Sequence, residues 1–331
     1  MAVRFYNREG TINYLFAISF MKARSRLSIT LAIAVFLVDV ILGSSAAGQT
    51  PEAAGVKKIS LGIISQTHQK EIEEHFRDFV HYVARKLSSA PDVEGKIVVA
   101  PTPIDLVKLL EQSEVDFYME SPYSTYVINH VHGAARLLLR RWQRGKAEYQ
   151  SLIFTKRNNG LTRLEDLRGK ILAFEDPEST SGHFLPKFFL LRKGFKLSEK
   201  AGPERNVSPE EVGYIFAYAQ TKLVDLVLSR QVAAGAFSDD DYAKLDEKKR
   251  SDIAILAETE RLPRHLVSIR KDMAPALAAR IETILLAMPE DEGGRRILQK
   301  TGDTTKFDPL PEGEAGMRRR LLETFYSPVK K

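Results

Sequence analysis

Two α/β lobes, each a mostly parallel β-sheet flanked by helices, are the fold predicted from this sequence. Three observations carry the prediction. At 331 residues the chain exceeds the usual size of one domain. Its body alternates short β-rich runs with amphipathic helical segments, the pattern of strands joined by crossover helices. Its 44% hydrophobic and 28% charged residues provide for sizeable cores. No internal repeat at a solenoid period is present.

The elements read in order. Lys57 to Ile64 is a strand, followed by a polar loop at 65–68. A helix over Glu71–Leu87 places Ile72, Phe76, Phe79, Val80, Val83 and Leu87 at helical spacing. Lys96–Ala100 is a second strand, bounded by Pro101 and Pro103, and a helix containing Leu106, Val107, Leu109 and Leu110 follows. Val115–Met119 is a third strand, ending at Glu120-Ser121-Pro122-Tyr123, with a helix from Ser124 to about His132. A strand at Gln150–Lys156 opens a new region. A short helix at Leu164–Gly169, a buried-type strand at Lys170–Phe174 and a helix from about His183 to Lys193, stopped by Gly194, continue it. Leu223–Ser229 reads as helix, Val232–Phe237 as strand and Ser238–Asp241 as a strand-end loop. Ile253–Ala257 is expected to be a strand returning to the first lobe, and Pro275–Met288 a helix. The lobes are accordingly placed at 57–150 and 256–331 for the first and 151–255 for the second.

Residues 21–47 read as an export signal: a basic start at Met21–Arg26, an apolar stretch from Leu27 to Val38 and small residues at Ser45-Ala46-Ala47. The stretch before Met21 reads as an overlong start. The apolar run is short for a membrane span, which needs about 20 residues, although a retained anchor is the rival reading. The expected location is the periplasm. Net charge is +6, of which residues 1–47 carry +3. Elsewhere Lys and Arg interleave with Asp and Glu, so no nucleic-acid partner is expected. The basic cluster Arg140, Arg141, Arg144 and Lys146 reads as a solvated face. The absence of cysteine excludes thiol catalysis and cysteine-ligated metals. His130 and His132 diverge on a helix, so no metal or other cofactor is expected. Phosphate-loop, dinucleotide and nucleophile-elbow patterns are missing, which argues against an enzyme. Trp142 and Tyr149 read as structural.

Ser179-Thr180-Ser181-Gly182 lies between a buried strand and a helix. Amide groups at a helix start need acceptors, and the dipole there acts as about half a positive charge. One small hydroxyl residue suffices to cap a helix. Three in a row leave donors over, and an oxyanion suits them. Micromolar binding requires about 8 kcal/mol. The dipole supplies about 0.3–2 kcal/mol and each hydrogen bond to a charged acceptor about 1.5–3 kcal/mol. Three or four such bonds account for much of that figure. Gly182 would let backbone approach the ligand.

At these residues the chain resembles the periplasmic phosphate/phosphite/phosphonate-binding proteins of ABC importers, from about Ile59 to about Arg270. The most specific stretch runs from Leu164-Glu165-Asp166-Leu167-Arg168-Gly169-Lys170 through Phe174-Glu175-Asp176-Pro177-Glu178-Ser179-Thr180-Ser181-Gly182 to Pro186. It is similar to the family's D-L-x-G-K segment, strand and D-P-x-S-T-S-G loop. Val115-Asp116-Phe117 to Ser121-Pro122 is similar to a V-D-x-x-x-x-G-P element, with Ser121 for glycine.

The resemblance implies a two-lobed type 2 binding-protein fold with a two-strand hinge, acting as a monomer beside an inner-membrane ABC permease. A sensor partner for a membrane receptor, or an enzyme on the same fold, is the alternative. It carries the oxyanion grip onto Ser179, Thr180 and Ser181. It places Gln220 where the family often has a contacting histidine. Asp240 takes the position of an acid that holds a ligand amino group, and His265 that of a second such acid. The expected aromatic is Tyr123 or Tyr126. Glu120 is the departure: a carboxylate beside an anion seat costs affinity unless it faces away, is protonated or meets a cation. A zwitterionic aminophosphonate would suit Glu120 and Asp240, which phosphate or phosphite would not need.

Overall fold

The computed structural model describes residues 57–66, 69–88 and 93–326. The export signal read at 21–47 lies outside them. Among the described residues no helix is long and apolar enough to cross a membrane.

The chain first lays down β1 (Lys58–Ile64), β2 (Glu94–Ala100), β3 (Phe117–Glu120) and β4 (Ala135–Gln143). A two-residue strand, β5 (Glu148–Tyr149), leads to a second set: β6 (Ser151–Lys156), β7 (Ile171–Phe174), β8 (Lys196–Glu199), β9 (Glu211–Phe216), β10 (Ala234–Ser238) and β11 (Ile253–Glu258). The return passes through β12 (Leu262–Pro263) to β13 (His265–Arg270) and β14 (Thr304–Pro309). The first sheet has the order β14-β4-β13-β3-β1-β2 and the second β11-β6-β10-β7-β9-β8. β5 and β12 pair antiparallel between them, Tyr149 opposite Leu262 and Glu148 opposite Pro263. This short ribbon is where both crossings of the chain meet.

Each sheet is mixed, for a physical reason. Strands joined by crossover helices run parallel: β1 with β2 and β3, and β7 with β9 and β10. Strands that border the crossings run antiparallel: β13 with β3 and β4, and β6 with β10 and β11. The strand at Ile253–Glu258 therefore does not return to the first lobe as expected; it pairs with β6 at the edge of the second sheet.

Both faces of each sheet are covered, which is why β1 and β6 read as continuous apolar runs. Helix Gln69–Leu87 buries Phe79, Val80, Val83 and Leu87 against one face of the first sheet, together with Ile281 and Leu285 of helix Pro275–Ala287. Helix Pro103–Glu111 covers the other face with Leu106, Val107 and Leu110. Its start is fixed by Thr102, whose hydroxyl accepts from the Asp105 amide. In the second lobe, Leu223, Val224 and Val227 of helix Gln220–Leu228 pack on one face, and Leu190 of helix Leu185–Arg192 on the other. A further apolar cluster crosses between the lobes. Leu185 from the second lobe meets Leu262, Leu266 and Phe325, the last on helix Gly313–Phe325.

Two readings of the sequence are corrected here. Arg140 and Arg141 lie within β4, not on a solvated face. Arg141 is 4% exposed and donates to the Thr304 hydroxyl and the Thr301 carbonyl. Arg140 pairs with Asp308 and Glu148. Only Arg144 and Lys146 of that cluster are solvated. Ser238–Asp241 is not a loop: Ser238 caps the helix Asp239–Lys244 by accepting from the Asp241 amide.

Candidate functional site

The carboxyl ends of β1, β3, β7, β9 and β10 carry the candidate residues, as the α/β plan dictates. In the first lobe the last residue of β3 and the turn after it supply Glu120, Ser121 and Tyr123. In the second, the loop after β7 holds 175–182, the turn after β9 leads into Gln220, and the turn after β10 leads into Asp240.

The hydroxyl triplet divides its work. Ser179 is the helix cap: its Oγ accepts from the Gly182 amide at 2.9 Å and donates to Glu175 Oε2 at 3.2 Å. Thr180 and Ser181 then begin a π-helical turn, Thr180–Phe184, that runs into helix Leu185–Arg192. Their amides lack acceptors within the helix. Thr180, 4% exposed, donates from Oγ1 to Ser121 Oγ at 2.9 Å and accepts from the Tyr123 amide at 3.4 Å. The Ser181 carbonyl accepts from Ser151 Oγ at 2.6 Å, fixing the turn to the start of β6. Ser151 follows Tyr149 of β5 by two residues, so this bond ties the turn to the chain as it leaves the hinge ribbon. The seat thus touches the first lobe and the start of β6 in the second, next to the hinge ribbon.

Gly182 has a different role from the close approach to ligand expected of it. A Cβ there would lie 2.5 Å from Glu175 Oε2 and 2.6 Å from Glu175 Cβ. The glycine makes room for Glu175 and the Ser179 cap. His183 anchors the same loop. Its Nδ1 donates to the Pro177 carbonyl at 2.7 Å, and burial among Phe174 and Phe216 pushes its pKa down to about 4.

Across the seam, the Glu120 carboxylate accepts from the Ile64 amide at 2.7 Å and the Ser121 amide at 3.3 Å. Desolvation outweighs both bonds and pushes its pKa up to about 7. Asp116 of the V-D element is structural: it accepts from the Ser60 amide and from Arg270. Of the two aromatic candidates, Tyr123 is the one at the seat, its ring stacked on Phe184 of the second lobe. Tyr126 stacks on His130 instead. Gln66, beyond β1, donates to Glu178 at 2.6 Å and adds a bond across the seam.

Gln220 is half-buried at the start of helix Gln220–Leu228, behind the turn in which the Tyr218 amide donates to the Glu175 carbonyl. His265 opens β13 opposite Arg141 and is partly buried. Desolvation first, and then the charges of Arg141 and Arg264, hold it neutral, and its Nδ1 has no hydrogen-bond partner among the described residues. Asp240 is held by Lys146 Nζ at 2.7 Å and by Arg264. The fold also brings Ser151 to the seat, with Tyr149 and the Arg264 guanidinium over its ring beside it. Arg264 and Ser151 carry no local signal in the sequence, and Tyr149 none beyond its position before β6.

The matching family is described as the periplasmic substrate-binding proteins of phosphonate ABC transporters, and it spans residues 61–312. Among solved structures, XAC2383 from Xanthomonas citri bound to ATP is 26% identical, with a TM-score of 0.72 over 81% of this chain and 95% of that one. PhnD1 from Prochlorococcus marinus in complex with methylphosphonate is 16% identical, with a TM-score of 0.55 over 81% and 98%. A binding-protein component of an ABC phosphonate transporter from Pseudomonas aeruginosa is 14% identical, with a TM-score of 0.52 over 77% and 82%. By the match along its sequence and by its two-lobed architecture, this chain belongs to the family of periplasmic substrate-binding proteins of phosphonate ABC transporters.

Proposed function

We propose that this chain captures a phosphorus oxyanion, of the phosphonate, phosphate or phosphite type, between its lobes and delivers it to an inner-membrane ABC permease. The observation that carries the reading is the division of labour at Ser179–Gly182. Ser179 caps the helix, and the Thr180 hydroxyl is left facing Ser121 across the seam. A ligand oxygen seated there would receive amides and hydroxyls from one turn of helix and a hydroxyl from the opposite lobe. Closure around it is a hinge motion at the ribbon of β5 and β12. The similar Xanthomonas protein was solved with ATP and the Prochlorococcus protein with methylphosphonate, and both ligands present phosphoryl oxygens. The chain works as a monomer and needs no cofactor for this task.

Binding to the folded state raises the melting midpoint by mass action. A thermal-shift panel of phosphate, phosphite, methylphosphonate, 2-aminoethylphosphonate, ATP and sulfate tests the reading. A rise with at least one phosphorus oxyanion, larger than with sulfate, is expected. No rise with any of them at millimolar concentration overturns the ligand class.

A further inference from the structure

Asp240 is the carboxylate that the sequence offers to a ligand's ammonium group, but two protein cations already hold it. Lys146 Nζ lies 2.7 Å from its Oδ1, and the Arg264 guanidinium is ion-paired to its Oδ2. The two cations differ in setting. Lys146 is half-exposed, whereas the Arg264 side chain is 16% exposed and lies over the Tyr149 ring at 5.0 Å. Tyr149 precedes Ser151 by two residues, and the Ser151 hydroxyl donates to the Ser181 carbonyl at 2.6 Å. A line of groups therefore runs from the seat through Ser151 to the neighbouring Tyr149, and from there through Arg264 to Asp240 and Lys146.

We propose that Arg264 takes the place of a ligand ammonium, so that this cleft selects phosphorus oxyanions carrying a second negative group and rejects zwitterionic ones. The inference rests on the oxyanion reading above and adds the chemistry of the rest of the ligand. A ligand ammonium would have to separate Arg264 from Asp240 and leave the guanidinium buried beside Arg141, a costly arrangement. A ligand carboxylate or second phosphoryl group meets the opposite situation. It engages the planar guanidinium, whose Nε has no hydrogen-bond partner among the described residues, while Lys146 retains Asp240. The neutral His265 next to Arg264 adds no competing charge. The zwitterion that Asp240 suggested from the sequence is thereby disfavoured.

Three phosphonates provide the test, titrated calorimetrically against the protein: phosphonoacetate, with a carboxylate on the phosphonate's carbon, methylphosphonate, with no second group, and 2-aminoethylphosphonate, with an aminomethyl group there. The expected order of affinity is phosphonoacetate, then methylphosphonate, then 2-aminoethylphosphonate, with at least tenfold between first and last. Arg264→Gln should invert the ends of that order, since Asp240 Oδ2 then becomes open to the ammonium while Lys146 keeps Oδ1. Asp240→Asn should tighten phosphonoacetate severalfold by releasing Arg264, and it decides the matter if Arg264→Gln does not fold. A wild-type chain that binds 2-aminoethylphosphonate as tightly as phosphonoacetate overturns the proposal and leaves the oxyanion reading standing. So does an order that neither substitution alters. A wild-type chain that binds none of the three overturns both.

Discussion

Thr180 donates its hydroxyl to Ser121 across the seam between the lobes, at 2.9 Å. One residue lies behind β7 in the second sheet and the other behind β3 in the first. The bond therefore joins the two strand-end loops on which an enclosed ligand would rest. Thr180 also accepts from the Tyr123 amide, so a single side chain reads both the position and the orientation of the opposite lobe.

Replacing Thr180 with Val keeps the shape of the side chain and removes the hydroxyl. A hydrogen bond to a charged acceptor contributes about 1.5–3 kcal/mol, so the affinity for phosphonate or phosphate should fall by a factor of about 10–150. The unliganded melting midpoint should move little by comparison, because the hydroxyl's partner Ser121 retains Ser124 at 3.4 Å. Calorimetric titration alongside thermal melts separates the two effects. A variant that still binds with wild-type affinity would move the seat away from Thr180.

Glu120 should make anion affinity depend on pH. Its pKa of about 7 leaves it protonated in mildly acidic solution and ionised above neutrality. The groups around it are the donating amides of Ile64 and Ser121, the buried Arg141, whose charge favours ionisation, and Glu178, whose charge opposes it. A protonated Glu120 places no charge beside the incoming anion. Affinity should therefore weaken as pH rises through about 7, and Glu120→Gln should flatten that dependence. Stability follows the same sign. The folded state holds this proton more tightly than the unfolded chain, whose carboxyl titrates near 4.5. The group's unfavourable contribution accordingly grows between those values as pH rises. His183, held near 4, acts oppositely, destabilising the fold as pH drops below 6.5. The difference between wild type and Glu120→Gln isolates the carboxyl. Parallel pH profiles for the two proteins would remove Glu120 from the anion's surroundings.

The elements visible in the sequence are those set by local pattern. The amphipathic helix Gln69–Leu87 and the passage from β7 through Ser179 to Gly194 need no distant partner to be recognised. β4 was hidden because Arg140 and Arg141 look solvent-facing until β13 and β14 enclose them. The placement of β11 likewise depends on a distant strand, since Ile253–Glu258 is apolar enough for either sheet and only its pairing with β6 decides. At the site, the Ser179–Gly182 loop was legible because its chemistry is contiguous. Asp240 and Arg264 are 24 residues apart, and Tyr149 lies farther still. Their meeting is a product of two chain crossings at β5 and β12, which no local signal announces.

Gly182→Ala tests whether the seat depends on packing beneath it as well as on the hydroxyls above. The added methyl would meet Glu175 Oε2, which can rotate away, and Glu175 Cβ at 2.6 Å, which cannot move without its backbone. It would also press the Ser179 Oγ at 2.9 Å, the atom that caps the helix. Overpacking of this kind costs about 1–3 kcal/mol, a drop of several degrees in melting midpoint for a chain of this size. Because Glu175 is joined through its own amide to the Gly182 carbonyl, the displaced backbone is that of the loop itself. Anion affinity should fall together with stability, unlike the Thr180→Val outcome, where affinity alone is lost. If Gly182→Ala melts and binds as wild type does, the close approach of Glu175 is not what this glycine serves.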